Sequence, residues 1–266
     1  MDRQRLGRSG LEVSPIGFGG FKIGRNQGIK YAESYELPSD EQVDRLLGAM
    51  LDIGINYFDT APAYGLSEQR IGQAISHRRN DLVISTKVGE RFEAGQSTYD
   101  YSTDAVRQSI ERSLRRLRTD VLDLVFVHCG GNDLAILTDT DIVADLQHLR
   151  ERGLIGAIGI SGKTPEGAKA ALAWADVIMV EHHMENRSHE AVMVEAASAG
   201  VGVVVKKGLG SGRLVPADAV RFVLDNPAVG SLLIGSLDLE HMRHNVAVAQ
   251  QVRPKSRTGC VNRAKR

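Results

Sequence analysis

The chain has 266 residues, and its 33 Lys and Arg balance 33 Asp and Glu for a formal net charge of zero. That balance excludes the basic excess expected of a protein that lives on nucleic acid or anionic membrane. Hydrophobic content of 42% and charged content of 25% exclude a disordered chain. Two cysteines, Cys129 and Cys260, make no disulfide framework. The opening MDRQRLGRSG lacks the apolar core of a signal peptide, and no run approaches the roughly 18 apolar residues of a membrane span. These features predict a soluble, cytoplasmic protein.

Taken in chain order, SPIGFG at 14–19 is the first candidate strand, followed by a polar insertion at 24–38. Val43, Leu46, Leu47, Met50 and Leu51 then share one helical face. Ser39 and Gln42 stand at capping-box spacing before them, and Gly54 supplies a left-handed stop. INYFDT follows at once as a strand. LVISTK is the next, with Val106, Ile110, Leu114 and Leu117 marking the helix after it. LDLVFVH, IGAIGIS, VIMVEH, GVVVKK and SLLIGS complete a set of eight, and the helix–glycine–strand junction recurs at Gly153 and Gly200. The strands are near-continuous apolar runs, as parallel strands covered on both faces are. Eight βα units in this length predict one (β/α)8 barrel domain over 1–266, with 253–266 a basic tail without periodicity. A doubly wound sheet would want G-x-G-x-x-G after its first strand, and IGFGGFKIG lacks that spacing.

In such a barrel the chemistry belongs at the C-terminal ends of the strands. Asp59 ends one strand, Tyr64 follows in its loop, Lys87 ends the next and His128 the one after. Singly, each has an ordinary structural explanation. Together they form an acid–base set. A phenol with an unperturbed pKa near 10 is a poor proton donor at neutral pH, but a neighbouring ammonium favours its phenolate. A carboxylate keeps that ammonium charged and in place, and a neutral imidazole can orient a carbonyl oxygen. Such a set suits proton delivery to an oxygen becoming an alkoxide.

The stretches RLGRSGLEVSPIGFGG, GINYFDTAPAYGLSEQRIG, ISTKVG and SLRRLRTDVLDLVFVHC run in an order that resembles the aldo-keto reductase family over about residues 3–250. The resemblance implies a barrel plugged from below by an N-terminal β-hairpin near residues 3–13. It also implies NAD(P)(H)-dependent interconversion of carbonyls and alcohols, with Asp59, Tyr64, Lys87 and His128 as the catalytic tetrad. The substrate is then a small carbonyl compound or alcohol, and no partner protein is implied.

On the cofactor side the match is thinner. The family's Ser-Asn pair for the nicotinamide carboxamide becomes Ser161 followed by Gly162. A carboxamide-binding Gln becomes Met179, and the position read as the stacking aromatic becomes His182, whose flat imidazole can serve as the platform or pack as a core histidine, with the two readings in balance. KKGLGSGRL at 206–214 occupies the pyrophosphate loop, with Lys207, Gly208, Leu209 and Ser211 facing the phosphates; side-chain alternation lets only one of Lys206 and Lys207 face the ligand. Counting back from the matching Asn245, the adenosine end falls on Gly235, Ser236, Asp238 and His241. The resemblance implies NADP(H), but Asp238 stands where a cation would hold a 2′-phosphate, so NAD(H) is a serious alternative. The thinned carboxamide site leaves a non-catalytic dinucleotide sensor as the second reading. SGKT at 161–164 lacks the glycine that a P-loop needs, and Thr164-Pro165 reads as a helix N-cap and first turn. No Cys or carboxylate completes a metal set around the histidines, so no metal is expected.

Overall fold

The computed structural model describes residues 1–29 and 34–252; the basic tail and Cys260 lie outside the described residues. Two short strands, β1 (Gln4–Arg5) and β2 (Glu12–Val13), pair antiparallel as the expected hairpin. Leu6 and Val13 are fully buried and Leu11 packs against them, so the hairpin seals one end of the barrel.

The barrel strands are β3 (Ile16–Gly19), β4 (Tyr57–Asp59), β5 (Val83–Val88), β8 (Leu122–His128), β9 (Ile155–Ser161), β10 (Val177–Glu181), β11 (Gly202–Lys206) and β12 (Val229–Ile234). They close in the order β3-β4-β5-β8-β9-β10-β11-β12 with every pairing parallel. The helices are α1 (Asp40–Asp52), α2 (Ser67–Ile75), α3 (Thr103–Leu117), α4 (Asp133–Asp139), α5 (Ile142–Glu151), α6 (Pro165–Ala171), α7 (Glu190–Ser198), α8 (Pro216–Leu224) and α9 (Leu239–Val252). No described helix is long and apolar enough to cross a membrane.

Local chemistry explains the boundaries. Gln42 N–H donates to Ser39 Oγ while Ser39 N–H donates to Gln42 Oε1, the capping box that starts α1. Thr164 Oγ1 accepts the Gly167 N–H at 3.1 Å to cap α6, with Pro165 at its first position. Gly54, Gly153 and Gly200 all sit at positive φ where helix gives way to strand.

Alternation along the strands divides the core in two. Tyr57, Val83, Leu124, Phe126, Ala157, Val177, Met179, Val204 and Leu233 fill the barrel interior together with Leu6 and Val13. The opposite faces pack under the helices in a larger cluster. Two residues beyond the upper interior layer, the same parity places Asp59, Lys87, His128, Ser161, Glu181 and Lys206 inward at the mouth. Gly19 and Gly235 take the two remaining places in that row.

One addition was not foreseen. Strands β6 (Glu90–Glu93) and β7 (Gln96–Tyr99) form a polar hairpin directly after β5. Ala94 and Gly95, both at positive φ, make its two-residue turn.

Candidate active site

The turn between β4 and α2 carries Tyr64. Its two ends are tied by the Thr60 hydroxyl donating to Ser67 Oγ at 2.8 Å. Behind it, the fully buried Glu68 accepts from Thr86 and Ser113 hydroxyls at 2.7 and 2.6 Å and pairs with Arg116 at 3.3 Å. The SE of YGLSE is thus an anchor that clamps α2 to β5 and α3 behind the tyrosine.

Lys87, 1% exposed, reaches across from β5. Its Nζ donates to both Asp59 carboxylate oxygens at 2.7 Å and to the Thr60 carbonyl at 2.8 Å. Asp59 also accepts from Ser85 Oγ at 2.7 Å, and Ser85 lies 3.0 Å from the Tyr57 hydroxyl. The Lys87 ammonium stands 4.7 Å from the centre of the Tyr64 ring. Burial lowers the Lys87 pKa, and Asp59 opposes that shift. His128 sets its ring edge-on to Tyr64 with centroids 6.2 Å apart, and Phe21 packs edge-on from the other strand-end loop at 5.2 Å. The four residues predicted as a tetrad therefore converge at one point of the mouth.

The hairpin after β5 adds two groups that the sequence reading missed. Glu90 Oε2 lies 2.9 Å from His128 Nδ1, and Ser97 Oγ donates to its other oxygen at 2.6 Å. Burial disfavours the Glu90 carboxylate, but His128, Ser97 and Arg25 outweigh it and hold the group at about 2. For His128 the balance is reversed: burial lowers its pKa and Glu90 only partly restores it. Arg25, from the polar insertion, lies over the Phe92 ring and donates to the Ala63 carbonyl at 3.1 Å, next to Tyr64. Glu90→Gln is expected to move the His128 titration to lower pH, because the carboxylate favours imidazolium. Loss of the contact is expected to cost about tenfold in kcat/KM, or about 1.4 kcal/mol. Imidazole NMR titration and steady-state kinetics check both; an unmoved titration would refute the pairing.

On the cofactor side some expectations change. Lys207 has φ +55° and turns to the rim, where it pairs with Glu181. Lys206 is the lysine that faces inward, donating to Ser161 Oγ at 2.9 Å and to the Gly162 carbonyl at 2.8 Å. Strand parity decides this, since Lys206 stands two residues beyond the interior Val204. His182 does not line the mouth. Its parity is outward; it is 1% exposed and stacks on Phe222 of α8 at 5.2 Å, with Arg187 on the same ring. Gly162 leaves no room for the missing amide, because Asp133 Oδ2 stands 2.6 Å from where its Cβ would be. That carboxylate instead accepts from the backbone N–H groups of Lys163 and Thr164 at 2.6 and 2.8 Å. Met179 is buried in the barrel interior and offers no hydrogen bond donor.

Gly235, Ser236, Asp238, His241 and Asn245 form one strip from the end of β12 along α9. Asp238 Oδ1 accepts the Glu240 N–H at 2.7 Å, and Ser236 Oγ accepts the Asp238 N–H at 3.1 Å, so both are engaged in starting α9. Gly208, Leu209 and Ser211 lie in the turn after β11, where Gly210 N–H closes on the Lys207 carbonyl at 2.8 Å. Asn245 is 3% exposed, and its Oδ1 has no partner among the described residues. A buried acceptor left open at the adenosine end fits a ligand that brings its own donor. Cys129 beside His128 is buried, and burial first and then Asp133 push its thiol up to about 12. Among the described residues no group of three or more His, Cys, Asp or Glu is placed to hold a metal.

The mouth of the barrel thus gathers a buried Lys–Asp pair, a tyrosine and a histidine. The model of the Aldo/keto reductase family matches residues 15–218, and the chain belongs to that family. A crystal structure of an aldo-keto reductase from Pseudomonas aeruginosa is 42% identical, covers 94% of both chains and superposes with a TM-score of 0.87. L-galactose dehydrogenase of Arabidopsis thaliana is 28% identical over 95% of this chain and 89% of its own length. D-threo-aldose 1-dehydrogenase of a Pseudomonas species is 28% identical over 80% of this chain and 71% of its own. The protein is thus an enzyme of the carbonyl–alcohol oxidoreductase class.

Proposed function

We propose that Asp59, Tyr64, Lys87 and His128 carry the reaction, with Tyr64 as the proton donor to a carbonyl oxygen. The observation that supports this most is the Lys87 ammonium held between the Asp59 carboxylate and the Tyr64 ring. It puts positive charge where phenolate develops as the proton leaves. His128, kept largely neutral by burial and oriented by Glu90, steers the carbonyl oxygen toward the phenol. A nicotinamide dinucleotide, when bound, would supply the hydride chemistry at the carbonyl carbon. Ser161, Lys206, the turn after β11, Gly235 and Asn245 are the residues that would hold it. The intact tetrad favours catalysis over a sensor role. Two relatives named for acting on sugars bring aldoses onto the substrate panel beside simple aldehydes and ketones. We place the enzyme in the cytoplasm, as expected of a chain whose two cysteines make no disulfide framework. Oxidation of a reduced dinucleotide by a reactive aldehyde, followed at 25 °C by absorbance, tests the assignment; no turnover across the panel would refute it.

Cofactor choice follows from the adenosine end. Asp238 caps α9, and Arg243 is drawn to Glu240 at 3.2 Å, so neither supplies an open cation for a 2′-phosphate. NADPH is expected to bind less than about tenfold more tightly than NADH, a difference under about 1.4 kcal/mol. Asp238→Arg is expected to shift the ratio toward NADPH. A parent preference of a hundredfold or more, in paired binding titrations, would show that another basic group holds the phosphate.

A further inference from the structure

The inward row at the mouth holds two lysines with different electrostatic company. Lys87 is neutralised by Asp59 at 2.7 Å. Lys206 has only uncharged partners, the Ser161 hydroxyl and the Gly162 carbonyl. An ammonium has three N–H groups, and among the described residues the third has no partner. The nearby carboxylate, Glu181, is already engaged by Lys207 and by His183 Nε2 at 3.5 Å. Lys206 is therefore a partly buried cation with no carboxylate bonded to it, on the ring of residues over which a hydride donor must lie to reach a carbonyl at Tyr64.

The two states of a nicotinamide differ there in one respect. The oxidised ring is a cation; gaining hydride, two electrons and one proton, makes it neutral. The phosphates and riboses are the same in both. A fixed positive charge at the mouth repels the oxidised ring and leaves the reduced one untouched, whatever the detailed pose of the ring within the mouth.

We propose that Lys206 biases the site toward the reduced dinucleotide, so that the enzyme takes up the hydride-loaded cofactor in preference to the spent one. This rests on the dinucleotide-dependent reading given above. The residue's own ionisation makes the bias adjustable. Burial first, then Lys207 and Lys87, bring the Lys206 pKa down to about 8. The groups that face it are Lys207, Lys87, Glu181, Cys129, His128 and His189. Of these, burial places His128 and His189 below and Cys129 above the range in which Lys206 titrates. The preference is thus full below about pH 8 and fades as pH rises through it.

The test is calorimetric binding of NAD+ and NADH, which lack a titrating 2′-phosphate, at pH 6.5 and pH 9. The ratio of their dissociation constants isolates ring charge. In the parent protein NADH is expected to bind about tenfold tighter than NAD+ at pH 6.5, the order of one unit charge repelling another across several ångströms of partly wet protein. The ratio is expected to shrink at pH 9. Lys206→Met should give the small ratio at both pH values, and Lys206→Arg, which keeps its charge, the large ratio at both. A Lys206→Met ratio equal to the parent's at pH 6.5, or a parent ratio unchanged at pH 9, overturns the proposal. Failure of the parent to bind either dinucleotide overturns the functional reading itself.

Discussion

Tyr64→Phe is expected to lower kcat by about 10²- to 10⁴-fold, the usual worth of a positioned general acid, while leaving dinucleotide affinity within a few-fold. The substitution keeps the ring that Phe21 and His128 pack against edge-on and removes only the hydroxyl. The Lys87–Asp59 pair beneath it keeps its own hydrogen bonds to Ser85 and Thr60. Steady-state kinetics beside a binding titration separate the two quantities. Full activity in the Phe variant would remove Tyr64 as the proton donor.

Lys87→Met has the largest expected effect on stability. It leaves the Asp59 carboxylate, 3% exposed, with Ser85 as its remaining donor, and breaking one side of a buried ion pair costs about 3–5 kcal/mol. Adding Asp59→Asn to it removes the stranded charge and is expected to recover most of that loss, since neutral replacements of a buried pair are well tolerated. Activity should not return in the double variant, which has no cation beside the phenol. Denaturant unfolding and turnover, measured on the parent, the single and the double variant, check this. A Lys87→Met protein as stable as the parent would show that the pair contributes nothing to the fold.

The barrel was legible because its strands are buried on both faces and so write themselves as unbroken apolar runs such as LDLVFVH. The convergence of the candidate tetrad was legible because FDTAPAYG places two of its members a fixed distance apart at one strand end. Other features depend on information that a linear pattern does not hold. Which of Lys206 and Lys207 faces inward is set by where β11 stops following its ladder, and Lys207 leaves it at φ +55°. His182 is the first residue past Glu181, so a shift of one position separates a mouth residue from one stacked under α8. The β6–β7 hairpin has exposed, polar faces without apolar alternation, and only its Ala94-Gly95 turn between ERFE and QSTY marked it. Glu90 was missed with it. Its importance comes from a partner 38 positions away, and no spacing rule links the two.

The inward row at the mouth is a ring with a gap. Gly235 and Gly19 end the adjacent strands β12 and β3, and a methyl group at Gly235 would stand 3.1 Å from the Gly19 carbonyl oxygen. Six side chains form the parapet, and the two missing ones make a gate in it. An elongated guest lying across the rim would meet the least obstruction at that gate. Asp59 stands directly beside that gate, in register with Gly19, and Lys87 and His128 follow on the next two strands of the ring.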